Sequence, residues 1–461
     1  MRRIFNSVFL VTLFTAPIAT PLSLLQAQPH THAGRAHNHP LPAQGVGHRH
    51  GAGAPGIAAG GRQAPAKQAQ QQQPIRPKQA NNNQRRNPGI ANNANTELQR
   101  AYKAKNYAKV YQIASGYAKR GDPAGQYVLG QLFLLGQGQR KNPQTAFGWF
   151  KKSADKGHPG SQYLLGSLYA TGQGTRKNLQ QAFKYYNLAS KAGIPDAFTS
   201  LGIMYENGEG VKKHLPTAIK YYEQAANKGV TNVQLMLGER YVKGVGVKKN
   251  PAKGFNYVRM AQRSGATGAT YLLGVLYANG IGTKKNPGQA FKYVNIAAKK
   301  GNRDAQYDVA SMYAQGLGTK KNMGQAINWY KKASAKGVAL ASHNLGLIYL
   351  QGMGTAKNEK AAFNWFSKAA KKGLPVSQYF MGDLYVDGVG VGKNHSQALS
   401  WYKKAAAQGL PAAEYSVGAM YANGYGTKKN IGTAKQWFQK AAKHGSPKAK
   451  QALAMLKQRG L

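Results

Sequence analysis

A pattern of glycines recurs every 36 residues from about residue 122 to the C-terminus, nine times, without insertion or deletion. Gly130 returns as Gly166, Gly202, Gly238, Gly274, Gly346, Gly382 and Gly418, with Ala310 in the one gap. Gly136 and Gly138 return in every copy as a Gly-x-Gly pair, ending at Gly424 and Gly426. Lys141 has a lysine at each later phase through Lys429, and Gly157 a glycine through Gly445. A strict period of this length excludes one central core. Each unit can bury its apolar face only against the next, so the chain must stack into a solenoid.

Each unit reads as two helices. In the copy from Gly157 to Gly193, Tyr163, Leu165, Gly166, Tyr169 and Ala170 recur at helical spacing and define helix A. Pro159 suits a first helical position, where a missing N–H costs nothing. Gly172-Gln173-Gly174 ends the helix, because glycine reaches the left-handed conformations that stop one. Asn178 supplies a side-chain cap for helix B, which carries Ala182, Phe183, Tyr186, Leu188 and Ala189 on one stripe. Gly166 and Ala182 are expected to let the two helices approach closely. Tyr169 and Tyr186 are expected to fill the gaps toward the next unit, and the tryptophans (Trp149, Trp329, Trp365, Trp401, Trp437) fall mostly at core phases.

The segment Ala305-Gln306-Tyr307, with Gly316-Leu317-Gly318-Thr319-Lys320-Lys321-Asn322 and Trp329-Tyr330-Lys331-Lys332-Ala333, resembles the Sel-one-like repeat family, a relative of the tetratricopeptide repeat. The resemblance covers roughly four-fifths of the chain. It implies an all-α fold: a right-handed α/α solenoid of about nine 36-residue helix–turn–helix repeats over 122–445. An opening cap at 96–121 and a closing helix at 446–461 complete the domain 96–461. It also implies a non-enzymatic scaffold that binds other proteins in bacterial envelopes, secretion or host contact. One branch of the family staples its repeats with disulfides; this chain has no cysteine, so nothing of that branch carries over.

Residues 1–27 have the form of a secretory signal: Arg2 and Arg3, an apolar run from Val8 to Ile18 too short to span a bilayer, and Leu25-Gln26-Ala27 as a cleavage site. The alternative is a retained N-terminal anchor. The expected location is therefore exported, periplasmic or secreted, with no transmembrane segment in the mature chain. Residues 28–95 contain no aromatic residue and no Asp or Glu, and are rich in Gln, Asn, Gly, Pro and His. Such a composition cannot offset its ordering entropy and reads as a disordered spacer. It holds three His-x-His pairs: His30 with His32, His37 with His39, and His48 with His50. These are candidate ligands for Zn²⁺, Cu²⁺ or Ni²⁺, although a flexible tail fixes no geometry.

The chain carries 64 basic and 14 acidic residues, a formal charge of +50. The pairs Lys212-Lys213, Lys248-Lys249, Lys284-Lys285, Lys320-Lys321 and Lys428-Lys429 fall at one phase, just before the helix B cap. Stacking would array them along one edge, roughly 10 Å from unit to unit. Two partners fit: another protein, or an anionic polymer such as cell-wall polymer, lipopolysaccharide or host glycan. Lysines that merely solvate an edge give the same pattern. Nucleic acid is not expected for an exported chain.

Catalytic patterns are weak. Ser153-Ala154-Asp155-Lys156 spells Ser-x-x-Lys without its companion motifs. The Gly-x-Gly pairs recur between helices and are turns, not phosphate cradles. His158, His214, His343, His395 and His444 occupy five different phases, and no cofactor motif is present. The most divergent unit runs from Val230 to Gly265. There Arg240 replaces Leu, Met or Ile, and Gly254 replaces the helix B alanine. Arg240 is a candidate binding residue on a groove wall; alternatively it pairs with Glu239 or Glu206 in a decayed repeat.

Overall fold

The computed structural model describes residues 92–460. The expected signal at 1–27 lies outside the described residues. So do all six candidate metal ligands of the spacer: His30, His32, His37, His39, His48 and His50. Among the described residues there are 21 helices and no strand. An opening pair, α1 (Asn92–Lys103) and α2 (Tyr107–Lys119), begins four residues ahead of the expected boundary at 96. Nine A helices follow: α3 (Pro123–Leu135), α5 (Pro159–Thr171), α7 (Pro195–Asn207), α9 (Thr231–Lys243), α11 (Thr267–Asn279), α13 (Arg303–Gln315), α15 (Ala339–Gln351), α17 (Pro375–Asp387) and α19 (Pro411–Asn423). They alternate with nine B helices: α4 (Pro143–Asp155), α6 (Leu179–Lys191), α8 (Leu215–Asn227), α10 (Pro251–Arg263), α12 (Pro287–Lys299), α14 (Met323–Ala335), α16 (Glu359–Lys371), α18 (His395–Ala407) and α20 (Ile431–Lys443). The closing helix α21 (Pro447–Gln458) lies on α20. Each helix packs chiefly on its neighbours in sequence, as a stack of hairpins requires.

Local chemistry explains the regular lengths. Asn178 accepts a hydrogen bond from the Gln181 N–H at 2.9 Å, and asparagines cap eight B helices in this way, His214 standing in at the ninth. Every A helix stops at a glycine in the left-handed region, such as Gly172 with φ 74°.

The A-helix glycine has a more specific reason than close helix approach. A Cβ on Gly166 would sit 2.8 Å from the Tyr186 ring, and one on Gly202 2.5 Å from Tyr222. The same phases pair Gly130 with Phe150, Gly346 with Phe366, Gly382 with Tyr402 and Gly418 with Phe438. The missing side chain is the seat for a B-helix ring. Tyr186 therefore seats on its own repeat's A helix and, as expected, also packs with Leu201 and Met204 of the next. A second ring set crosses the joint between repeats. Phe147 meets Tyr169 edge-on at 5.2 Å, Phe255 meets Tyr277 at 5.2 Å, and Phe291 meets Tyr313 at 5.1 Å. Tyr169 then stacks on Tyr185 at 5.8 Å, and Tyr277 on Tyr293 at 5.8 Å. Aromatic contact thus runs from one repeat into the next.

A polar clip marks the same joints. Gln234, Gln306 and Gln378 each reach back to a carbonyl near the end of the preceding B helix, at 2.8, 3.2 and 3.2 Å. Each of these carbonyls also accepts the N–H of the glycine that closes its helix, at 3.0 Å. In the last repeat Glu414 takes this position. It cannot donate, so it is held from the other side by His444 Nδ1 at 2.8 Å and Lys440 Nζ at 3.3 Å.

Candidate interaction surfaces

Stacking sorts the charges by layer. The nine A helices hold three basic residues, Arg240, Lys243 and Arg303, against eight acidic ones. The B helices and the loops over 123–446 hold 41 basic residues against four acidic ones. One layer of a strongly cationic protein is therefore weakly acidic, and the opposite layer and its edges carry the positive charge.

The A layer presents its open side through the helix positions no B helix covers. Leu135, Ile203 and Leu340 are exposed there, and Leu164, Met236, Leu272 and Phe380 are half-buried at a single phase. Buried polar links run beneath it: Tyr271 Oη donates to Asp308 Oδ2 at 2.6 Å, and His343 Nδ1 lies 2.9 Å from Ser377 Oγ. His343 is fully buried between Phe366 and Phe380, and burial lowers its pKa to about 4. Asp383 accepts from Tyr402 Oη at 2.6 Å. Burial, helped by nearby Asp387, raises its pKa to about 7.

On the B layer the tryptophans pack in or against the core, as expected. Trp329 is buried, whereas Trp149, Trp365, Trp401 and Trp437 are half-buried. Each carries the lysine three residues on over its ring: Lys152 at 4.7 Å, Lys332 at 4.2 Å, Lys368 at 5.2 Å, Lys404 at 4.2 Å and Lys440 at 5.1 Å. The Trp-x-x-Lys spacing was the sequence signal for this arrangement.

The loops from A to B carry Lys212, Lys213, Lys248, Lys249, Lys284, Lys285, Lys320, Lys321, Lys428 and Lys429, all exposed, on one edge. Arg240 lies elsewhere, in the A layer. Its Nη2 donates to Glu206 Oε1 at 2.6 Å, and Tyr222 Oη donates to Glu206 Oε2 at 2.8 Å. The guanidinium also sits 5.8 Å from the Tyr222 ring centroid. Arg240 and Glu206 each depart from an apolar or small phase, in adjacent repeats, and they meet. Glu239 does not take part; it is held near Lys243. Gly254 is likewise accommodated: a Cβ there would lie 2.7 Å from Val242 Cγ2 and 2.8 Å from the Gly238 carbonyl oxygen.

The remaining polar candidates are committed to structure. Ser153 donates to the Pro123 carbonyl at 2.6 Å and accepts from Ser161, while Lys156 reaches the Gly121 carbonyl. Ser153 and Lys156 thus both tether the 121–123 segment. His158 caps α5, His214 caps α8, and His395 stacks on Tyr425 at 5.1 Å. No group of three or more His, Cys, Asp or Glu that could hold a metal occurs among the described residues. The spacer pairs of His30 and His32, His37 and His39, and His48 and His50 fall outside that range. No helix among the described residues is long and apolar enough to cross a membrane.

Paired helices of fixed length, stacked nine times with two unlike faces, define an α/α solenoid. A family model described as the Sel1 repeat matches residues 123–158, 159–194, 197–230, 232–265, 267–302, 303–338, 339–374, 375–410 and 411–446, and the chain belongs to that family. The chain is similar to the crystal structure of a protective antigen present in uropathogenic Escherichia coli strains that displays an SLR fold. That match has 27% identity and a TM-score of 0.55, covering 80% of this chain and 88% of that one. It is also similar to a Sel1 repeat protein from Oxalobacter formigenes, with 29% identity and a TM-score of 0.58, covering 68% of this chain and 93% of that one. A search of curated proteins gives no match. Sel1 repeat proteins are protein-interaction scaffolds, and the fold is generally non-catalytic.

Proposed function

We propose that this chain is an exported bacterial scaffold that docks a protein partner on the open side of its A layer, in the envelope or at a host surface. The charge sorting carries the reading. A protein with 64 basic residues keeps all but three off its nine A helices, and those helices expose Leu135, Ile203 and Leu340. A face depleted of cations and supplied with apolar groups suits a protein surface, where charge is expensive to desolvate. Export rests on the pattern of residues 1–27 and is in keeping with the antigen character of the E. coli relative.

Crosslinking in intact cells, followed by capture, tests the docking face. Wild type should retain a discrete partner at moderate salt, and Ile203→Asp with Leu340→Asp should lose it while remaining helical. Undiminished capture by that variant overturns the A-layer assignment. N-terminal sequencing tests export: the mature chain should begin at or near Gln28, and an intact Met1 on cytosolic protein overturns it.

A further inference from the structure

The A-to-B edge is more than solvated loop. Its nine loops hold 16 basic residues, all exposed, against the single acid Glu209. Only Lys357 among the 16 has an ion-pair partner among the described residues, namely Glu359. The lysine just before each B-helix cap, present in all nine loops, is also held at its root. A Cβ on the capping glycine would lie 3.1 Å from Lys141 Cβ at Gly136, 3.2 Å from Lys213 Cβ at Gly208, and 3.1 Å from Lys249 Cβ at Gly244. The next residue is pinned as well: Asn142 N–H donates to the Phe133 carbonyl at 2.8 Å, and Asn178, His214 and Asn250 repeat that bond at 2.8 Å one, two and three units on. The cations therefore leave from nearly the same backbone geometry in every repeat, in register along the stack.

We infer that this edge binds a linear anionic polysaccharide, laid along the repeats with its carboxylates or sulfates over successive lysine pairs. Charge complementarity favours an anionic occupant. Linearity follows from the array, which is a line of equivalent sites one repeat apart. A polysaccharide, in preference to nucleic acid, follows from the residue types. Fourteen of the 16 are lysines, compact point charges that ask for no planar, bidentate geometry. The exposed ring on this edge is Tyr425, already stacked by His395, so successive bases would find no platforms. The surface is separate from the A layer, so either assignment can fail alone.

The test uses the full chain and polygalacturonate as probe, with neutral dextran, single-stranded DNA and phosphatidylserine vesicles as comparison ligands. Polygalacturonate should bind, dextran should not, and affinity should fall steeply and linearly in log–log form with salt, as counterion release demands. Replacing Lys212, Lys213, Lys248, Lys249, Lys284, Lys285, Lys320 and Lys321 by Ser should cost at least about tenfold in affinity and shallow the salt slope. The same eight as Arg should restore it. Removing the B-layer cations Lys184, Lys292, Lys368 and Lys404 should change little. Should the eightfold Ser variant lose helicity, the two four-lysine halves are measured instead, each expected to cost several-fold. The proposal is overturned if the folded Ser variants bind as wild type does. It is also overturned if the B-layer variant loses as much, or if DNA or the vesicles bind more tightly than polygalacturonate.

Discussion

Replacing Asp383 by Asn should change the shape of the stability–pH profile, and the structure sets both sign and size. Burial raises the Asp383 pKa from 3.8 to about 7. Between these values the native state holds a proton that the unfolded chain has released, so stability falls as pH rises. About three pKa units at ~1.4 kcal/mol each make this a loss of ~4 kcal/mol between pH 4 and pH 7. His343 acts in the opposite sense. Its pKa falls from 6.5 to about 4, so the unfolded chain binds the extra proton and stability rises by ~3 kcal/mol between pH 4 and pH 6.5. In wild type the two slopes largely offset one another. Asn at 383 can still accept the Tyr402 hydrogen bond, but it does not titrate. The variant should match wild type near pH 4 and exceed it by ~4 kcal/mol at pH 7.5. Urea unfolding followed by tryptophan fluorescence at fixed ionic strength reads this directly, since other titrating groups cancel in the difference. A variant profile parallel to wild type across pH 4–7.5 would refute the argument.

Other substitutions follow from the same contacts. Arg240→Leu restores the common residue but strips Glu206 of its cation, so it should destabilise by ~1–3 kcal/mol, and adding Glu206→Ala should recover most of the loss in a double-mutant cycle. Gly202→Ala places a Cβ 2.5 Å from Tyr222 and should cost ~1–3 kcal/mol by thermal melting, whereas Gly148→Ala, with nothing within 4 Å, should gain ~0.5–1 kcal/mol. Asn178→Ala removes the cap of α6 and should cost ~1 kcal/mol, read as faster hydrogen exchange in its first turn. Excising one internal 36-residue unit should leave a shorter, folded array with unchanged helicity per residue, because contacts are to neighbours; global unfolding would contradict the stack.

The period, the glycine stops and the asparagine caps determined the fold from the sequence alone. Each acts within a few residues, so each could be read without knowing what lies opposite. The lysine edge was legible for the same reason: one phase in one loop becomes one line when units stack. The charge-poor A layer was also written in the sequence, but it emerges only when charges are counted by helix type. What tertiary structure decided were contacts between residues about 16 to 37 positions apart. That the glycine at Gly166 seats Tyr186, that Arg240 finds Glu206 and not Glu239, and that Glu414 is met by His444 are matters of direction. Periodicity gives a residue's face of the helix, but not which neighbour its side chain reaches. Burial of His343 and Asp383 is decided the same way, because a polar residue at a helical phase titrates normally in water and abnormally only once other repeats close over it.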